Sequence, residues 1–209
     1  MIRLRDEITS YTLDALKEVA NIGAGNAITA LSQLVNKKIN MNVVQVEVQD
    51  ISEISTIYHE EDVFIVANVI EIVGDIRAVL MFILEEESAK EVIFHVLGTK
   101  ISSLYELGEL ELSLLSEIGN ILAGNYLNAI GTFVNLTINQ STPQVVMDMA
   151  TAILSIPLIE FCDEYLDTLL IRTYFESDSD HLLLTGNYLF VLDKETERKI
   201  MKAVNSYYE

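Results

Sequence analysis

The chain has 209 residues, half of them hydrophobic, and 32 acidic residues against 13 basic ones give a formal net charge of −19. A chain of this length can form one large domain or two small ones, and its apolar content is sufficient for a well-buried core. Such a negative field repels a nucleic-acid backbone and an anionic membrane surface, so neither nucleic acid nor a membrane is an expected partner.

The first half of the sequence predicts a long helix followed by three strands and a second helix. Apolar residues recur at three- and four-residue steps over 10–35, which is typical of a helix, with Thr9 or Ser10 as its N-cap. Alternating or continuous apolar stretches then predict strands over 38–49, 63–71 and 76–84, and a closing helix over 86–97.

The second half repeats this order of elements. The pattern predicts a helix over 109–134, a strand that begins near 143, further strands near 167–175 and 182–192, and a last helix over 194–207. When the sequence is shifted by 99 residues, 14 of the 33 positions in 14–46 are identical to those in 113–145. The identities include Glu, Asn and Gln, which hydrophobic patterning does not explain.

We therefore predict an α/β protein of the α+β type, in which two duplicated β/α units are related by a pseudo-twofold axis. Residues 1–209 would form a single domain of two repeats, about 1–105 and 106–209. The two long helices would pair and present their polar faces to solvent.

The sequence also predicts a cytoplasmic protein. The first ten residues are too charged for the core of a signal peptide. No run approaches the roughly 18 apolar residues of a membrane span. Cys162 is the only cysteine, so no intramolecular disulfide or thiolate metal cluster can form.

Each long helix carries a polar trio at positions i, i+4 and i+7, namely Asp14, Glu18 and Asn21 in the first helix and Ser113, Glu117 and Asn120 in the second. Residues at this spacing share one helix face. A single Glu-x-x-Asn pair is normally only solvated surface, but recurrence of the whole trio at matched positions makes it a candidate site.

A glycine, Gly25 or Gly124, occupies the next position along each polar stripe. Glycine within a helix costs up to about 1 kcal/mol relative to alanine. We interpret the matched pair as places where something closely approaches the helix backbone. Packing of helix against helix inside the protein is the alternative.

Other candidate sites are weaker. Gly23-Ala-Gly25 resembles a dinucleotide-binding turn, but it lies within a predicted helix and lacks the third glycine. The polar run at 59–62 is more typical of an exposed turn than of a metal site. His95 and His181 are isolated, with no Ser or Cys pairing that suggests a nucleophile.

The trios resemble the motif of the CheC-type phosphatases of bacterial chemotaxis, Asp/Ser-x-x-x-Glu-x-x-Asn with a proline after 22 further residues. Ser113, Glu117, Asn120 and Pro143 match this motif in full, whereas the first trio has Val44 in place of the proline. The segment NIGAGNA at 21–27 is also similar to the family's first helix. The length and the repeat together favour CheC-type members over the CheX-like members, which are shorter and have one site, and over FliY, which has an extra C-terminal domain.

This resemblance implies that the chain hydrolyses the phospho-aspartate of the response regulator CheY. Asn21 and Asn120 would orient the attacking water, and Glu18 and Glu117 would each hold a lysine of the regulator. The chain would need no cofactor of its own, since the Mg²⁺ would belong to phosphorylated CheY. A CheD-type deamidase is a further candidate partner. We rank the Glu117/Asn120 site first, because its motif includes the proline, Pro143.

Two other interpretations remain open. A non-catalytic adaptor that binds CheY would share the fold and the polar stripes, but it would not need an amide at both Asn positions. A small-molecule sensor domain would need convergent pocket residues, which the sequence does not show.

Overall fold

The computed structural model describes residues 9–34, 38–54, 63–161, 167–177 and 183–207. In chain order its elements are α1 (Ser10–Leu34), β1 (Ile39–Asp50), α2 (Ile51–Ile54), β2 (Phe64–Gly74), β3 (Ala78–Glu85), α3 (Glu86–Leu97), α4 (Glu109–Val134), β4 (Ile138–Gln140), β5 (Gln144–Met149), α5 (Ala150–Leu154), α6 (Ile156–Phe161), β6 (Asp167–Ser177), β7 (Leu183–Leu192) and α7 (Lys194–Tyr207). A short 3-10 turn, Leu104–Glu106, precedes α4. No helix within the described ranges is long and apolar enough to cross a membrane.

The strands form one antiparallel sheet in the order β1-β6-β7-β3-β2, and β4 and β5 both pair with the outer edge of β2. The first strand of each half thus pairs with the second strand of the other half, β1 with β6 and β5 with β2. The order is symmetric about the β7–β3 pair. This arrangement confirms the predicted fold class, while the division into repeats near residue 105 stays a prediction.

The long helices cover one face of the sheet. Buried residues of α1 and α4, such as Leu16, Leu31 and Leu122, pack with Phe82 and Tyr188 of the sheet in one apolar cluster, which α3 and α7 extend. These helices are amphipathic, so burial of their apolar stripes leaves the polar stripes in solvent.

The opposite face of the sheet is covered by short helices. Ile51 and Ile54 of α2 and Ile153 of α5 are buried with Met81 and Leu189 in a second apolar cluster. None of these short helices was predicted from the sequence, because four to six residues are too few to show a helical period.

The ends of the two long helices follow local sequence signals. The Thr9 hydroxyl accepts a hydrogen bond from the Thr12 N–H at 3.2 Å, which confirms Thr9 as the N-cap of α1. The Glu111 carboxylate accepts the Gly108 N–H at 3.0 Å at the start of α4. Asn135 ends α4 with a left-handed φ of 52°.

The strand predicted to begin near residue 143 is observed as β5, which begins at Gln144, and the segment 141–143 separates it from the short strand β4, which was not predicted. Pro143 has no backbone N–H and therefore cannot donate a hydrogen bond to β2. The loop that results lies beside the polar face of α4, where the predicted second site is located.

Candidate functional site

Both predicted polar trios lie on the solvent-exposed faces of the paired long helices. The exposed residues are Asp14, Glu18 and Asn21 on α1 and Ser113, Glu117 and Asn120 on α4. The two helices contact each other, since a Cβ added at Gly23 of α1 would lie 3.1 Å from the Tyr126 Cα of α4. Adjacent helices with exposed Glu/Asn stripes are therefore confirmed, and the roles of these residues stay predictions.

The exposure of the second pair is set by its neighbours on α4. Leu115 and Ile118 are buried in the core, and Gly119 lies directly against the sheet. Glu117 and Asn120 are three residues apart and so point from the same, outer face of the helix. Core packing on one side of α4 thus holds both side chains in solvent on the other side.

A pocket of about 240 Å³ lies over this second pair. Its lining residues are Ser116, Glu117, Asn120, Gln140, Ser141, Thr142 and Pro143. Helix α4 supplies one wall, and the loop between β4 and β5 supplies the other. The volume is sufficient for several water molecules or a small anionic group.

The loop wall of the pocket is fixed to the edge of the sheet. The Ser141 N–H donates to the Glu71 carbonyl of β2 at 2.9 Å, and the Glu71 N–H donates to the Ser141 hydroxyl at 3.0 Å. Pro143, two residues on, is buried. The loop therefore keeps a defined position relative to α4 even though it is irregular.

Gln140 is a pocket residue that the sequence reasoning missed. Its Nε2 donates a hydrogen bond of 2.9 Å to the Asn120 Oδ1. The corresponding residue in the first half of the sequence is Met41, so comparison of the two halves gives no signal for Gln140. Only the structure brings the end of β4 against the polar face of α4.

The position of the motif proline coincides with an irregular strand in both halves. Pro143 lies between β4 and β5, and the matched Val44 lies where the pairing of β1 with β6 shifts register between Val43 and Gln45. The Val44 side chain is outside the described residues. The irregularity in β1 therefore occurs without a proline. A proline at this position is thus not required for the strand to be irregular.

The structure excludes the alternative interpretation of the two matched glycines, packing of helix on helix inside the protein, while the approach of a partner stays a prediction. A Cβ at Gly25 would meet no heavy atom within 4 Å, and one at Gly124 would meet only the Gln140 amide at 3.9 Å. Neither glycine therefore serves the packing of one helix on another. The close approaches occur instead at Gly23 and at Gly119, whose added Cβ would lie 2.3 Å from the Asn68 Cγ.

The glutamates of the two pairs are available for a partner. Within the described part of the chain, neither Glu18 nor Glu117 has an ion pair or hydrogen bond. No group of three His, Cys, Asp or Glu side chains suited to a metal occurs among the described residues. The two sites thus present carboxylates that have no ion pair among the described residues.

The weaker candidates do not form a site in the described ranges. Gly23-Ala-Gly25 lies inside α1, with no strand leading into it. His95 lies on α3, 3.3 Å from the Glu91 carboxylate. Cys162, His181 and the run at 59–62 lie outside the described residues.

Comparison with known proteins shows which family the chain belongs to. A model of the CheC-like family matches residues 12–43 and 110–147, which include both polar trios. Over 201 residues the chain is 30% identical to the CheY-P phosphatase CheC of Bacillus subtilis (strain 168), covering 95% of this chain and 96% of the relative.

Solved structures share the fold. The crystal structure of Thermotoga maritima FliY matches with a TM-score of 0.75 at 18% identity, covering 96% of this chain and 98% of that one. A chain of the CheX–CheY–BeF3–Mg²⁺ complex from Borrelia burgdorferi matches with a TM-score of 0.51 at 14% identity, covering 83% of this chain and 96% of that one.

Proposed function

The chain belongs to the CheC-like family, and we propose that it is a phosphatase that hydrolyses the aspartyl phosphate of a CheY-type response regulator. One relative, CheC of Bacillus subtilis, is a CheY-P phosphatase, and the similarity extends over almost the full length of both chains. The observation that carries the proposal is the exposed Glu117/Asn120 pair at a pocket whose far wall contains the motif proline, Pro143.

The proposed reaction is hydrolysis of an acyl phosphate. A water oxygen attacks phosphorus, the bond from phosphorus to the aspartate oxygen breaks, and inorganic phosphate and a free carboxylate are released. Such reactions depend mainly on holding the water in line with the leaving oxygen and on stabilising charge at the phosphoryl oxygens. A site without its own nucleophile or metal is compatible with this chemistry.

In this proposal Asn120 and Asn21 position the water. A carboxamide both donates and accepts hydrogen bonds, so it can hold a water molecule in a fixed orientation without being consumed. Asn120 is exposed on α4 beside a pocket large enough for water, which supports this role.

Glu117 and Glu18 are proposed to anchor the regulator. A bare carboxylate is repelled by phosphate, so its more favourable partner is a cation next to the phosphorylation site, such as a lysine ammonium. Both glutamates are exposed and have no ion pair within the described residues. The Mg²⁺ required for regulator phosphorylation is proposed to belong to the regulator, and the chain would meet its substrate in the cytoplasm.

The matched structure of a CheX–CheY complex holds BeF3 and Mg²⁺, and the proposal for this chain is consistent with that composition. An interaction with a CheD-type deamidase stays a prediction. A module that only binds CheY remains the competing hypothesis, and the two differ in one property: the rate at which the phosphoryl group is lost.

The test is the loss of phosphoryl label from phosphorylated CheY with and without the purified chain. We expect the chain to accelerate the loss at substoichiometric concentration, because an enzyme turns over. Binding of phosphorylated CheY without acceleration would establish the adaptor instead. A control with Glu18, Asn21, Glu117 and Asn120 all changed to Ala should leave the regulator at its intrinsic rate.

A further inference from the structure

We propose that Gln140 is a positioning residue for Asn120, an inference that rests on the proposed function of that asparagine. The Gln140 Nε2 donates to the Asn120 Oδ1 at 2.9 Å, and both side chains line the same pocket. Gln140 would act by fixing the orientation of the amide that holds the water. It would not itself contact the phosphoryl group.

The Asn120 side chain alone has two amide orientations of similar energy. Its terminal torsion is broad, and rotation by half a turn exchanges its carbonyl oxygen with its NH₂ group. In the structure the Gln140 Nε2 donates to Oδ1, so that Oδ1 faces β4 and NH₂ faces away. The NH₂ group is then free to donate to a water or phosphoryl oxygen, and one lone pair of Oδ1 remains to accept.

The backbone holds this donor in place. Gln140 is the last residue of β4 and pairs with Ile72 of β2. The next residue, Ser141, is tied to Glu71 by two hydrogen bonds. A side chain mounted on the sheet edge can fix a side chain on α4 because the sheet and the helix share one core.

Gly124 leaves room for the Gln140 amide. It is one turn after Asn120 on α4, and a Cβ there would be 3.9 Å from both the Nε2 and Oε1 atoms of Gln140. At this distance such a Cβ would be in ordinary van der Waals contact with the amide. The Gln140 Oε1 is buried and lacks a hydrogen-bond partner among the described residues. Since an unpartnered buried carbonyl disfavours folding, stability alone does not account for a glutamine here.

The experiment uses chains in which the first site is silenced by Glu18→Ala and Asn21→Ala, so that turnover reports the second site alone. In this background Gln140→Met keeps the side-chain length and removes the donor. Gln140→Glu keeps the shape and leaves only an acceptor, which would turn the Asn120 amide around. The matched control is Gln144→Met, the same substitution at an exposed glutamine outside the pocket.

We expect Gln140→Met to lower kcat about fivefold, which is the value of one neutral hydrogen bond, with little change in KM. Gln140→Glu should lower kcat further, and Gln144→Met should match the background chain. The side-chain NH₂ resonances of Asn120 in an NMR spectrum should move in both Gln140 variants and stay in place in the control.

Equal kcat values for Gln140→Met and Gln144→Met would overturn the inference while leaving the proposed function intact. So would a Gln140→Glu chain more active than Gln140→Met, because an acceptor would then serve as well as a donor. The chain with Glu18→Ala and Asn21→Ala tests the proposed function itself. If this chain is folded, with Asn120 exposed, and still does not accelerate regulator dephosphorylation, the proposed activity of the second site is wrong as well.

Discussion

At the scale of single residues, the candidate chemistry is assigned to side chains that contribute little to folding. Asn120 is exposed, and its described contact is the hydrogen bond from Gln140. We expect Asn120→Ala to remove most of the activity of the second site and to change the free energy of unfolding by no more than about 0.5 kcal/mol. Phosphoryl loss from CheY and urea unfolding of the same preparation measure the two quantities.

Combining Asn21→Ala with Asn120→Ala extends this test to both sites. The double variant should leave the regulator at its intrinsic rate of phosphoryl loss, since no amide would remain to hold water. Wild-type activity in a folded double variant would contradict the assignment of water positioning to these two residues.

The glycines allow a second prediction at this scale. Alanine at Gly119 would place its Cβ 2.3 Å from the Cγ and 2.5 Å from the Oδ1 of buried Asn68. Overpacking of this kind costs about 1–3 kcal/mol. Alanine at Gly25 meets no heavy atom within 4 Å, and it should stabilise α1 by up to about 1 kcal/mol because glycine is a poor helix former.

The two alanine variants are matched controls for each other, since each makes the same change within a long helix. Thermal or urea unfolding should therefore shift in opposite directions. A destabilised Gly25→Ala chain would show that the outer face of α1 is less open than the structure indicates. A loss of regulator affinity in stable Gly25→Ala would place the partner close to this part of the helix.

At the scale of elements, periodicity predicts much of the fold. The helices predicted over 10–35 and 109–134 are observed as α1 and α4 with ends that agree within one residue. Long amphipathic segments repeat their signal over several turns, whereas α2 and α5 are too short to repeat it. The strand β4 was also not predicted, because its three residues are too few to show an alternating pattern.

One element-scale prediction concerns the rings that join α4 to the sheet. The Tyr126 ring of α4 lies 4.6 Å from the Tyr188 ring of β7, measured between centroids. Burial raises the pKa of Tyr126 to about 12, against a smaller lowering by its contact with the Thr173 hydroxyl. The pKa of Tyr188 is raised well above its ordinary value, first by burial and then by the charge that the nearby Tyr126 can carry.

The direction of the pH effect follows from these pKa values. An unfolded tyrosine has a pKa of about 10. Below pH 10 both states keep the proton, and stability is unaffected. Between pH 10 and 12 the unfolded state loses its proton while folded Tyr126 retains it, so the free energy of unfolding decreases as the pH rises. For Tyr126 we expect a decrease on the order of 2 kcal/mol over this interval.

Tyr126→Phe isolates this contribution. The ring is retained, and the 3.4 Å contact with Thr173 is long for a hydrogen bond, so stability at pH 7 should change by less than about 1 kcal/mol. Urea unfolding from pH 9 to 12 should show a smaller decrease for the variant than for the wild type. Parallel curves would mean that Tyr126 does not resist ionisation in the folded state.

At the scale of the whole molecule, the sequence predicts the repeat and the structure shows how its halves interleave. Each half contributes its first strand to the other half, so β1 pairs with β6 and β5 pairs with β2. Such pairing joins residues far apart in sequence and leaves no local pattern. The same reason kept Gln140 out of the predicted site, since its contact with Asn120 depends on where β4 lies beside α4.

The interleaved arrangement gives two surfaces that are alike but not equivalent, and the last prediction concerns their ranking. The second site has a neutral Ser113 where the first has the charged Asp14, and it has Pro143 and Gln140 where the first has Val44 and Met41. An additional carboxylate near a phosphoryl group is unfavourable unless a cation is close, and water screens this repulsion only partly. The second site should therefore be at least as active as the first.

The relative activity of the two sites is decided by one dephosphorylation assay. It compares the Glu18→Ala/Asn21→Ala chain with the Glu117→Ala/Asn120→Ala chain at the same protein concentration. We expect each variant to retain activity from its intact site, with the larger loss in the Glu117→Ala/Asn120→Ala chain. All four positions are exposed, so unfolding curves should be similar and any difference in rate reports the sites. A much larger loss in the Glu18→Ala/Asn21→Ala chain would reverse the ranking. The proline, the neutral serine and the Gln140 donor would then not mark the more active site, and the register shift in β1 would become the feature to examine.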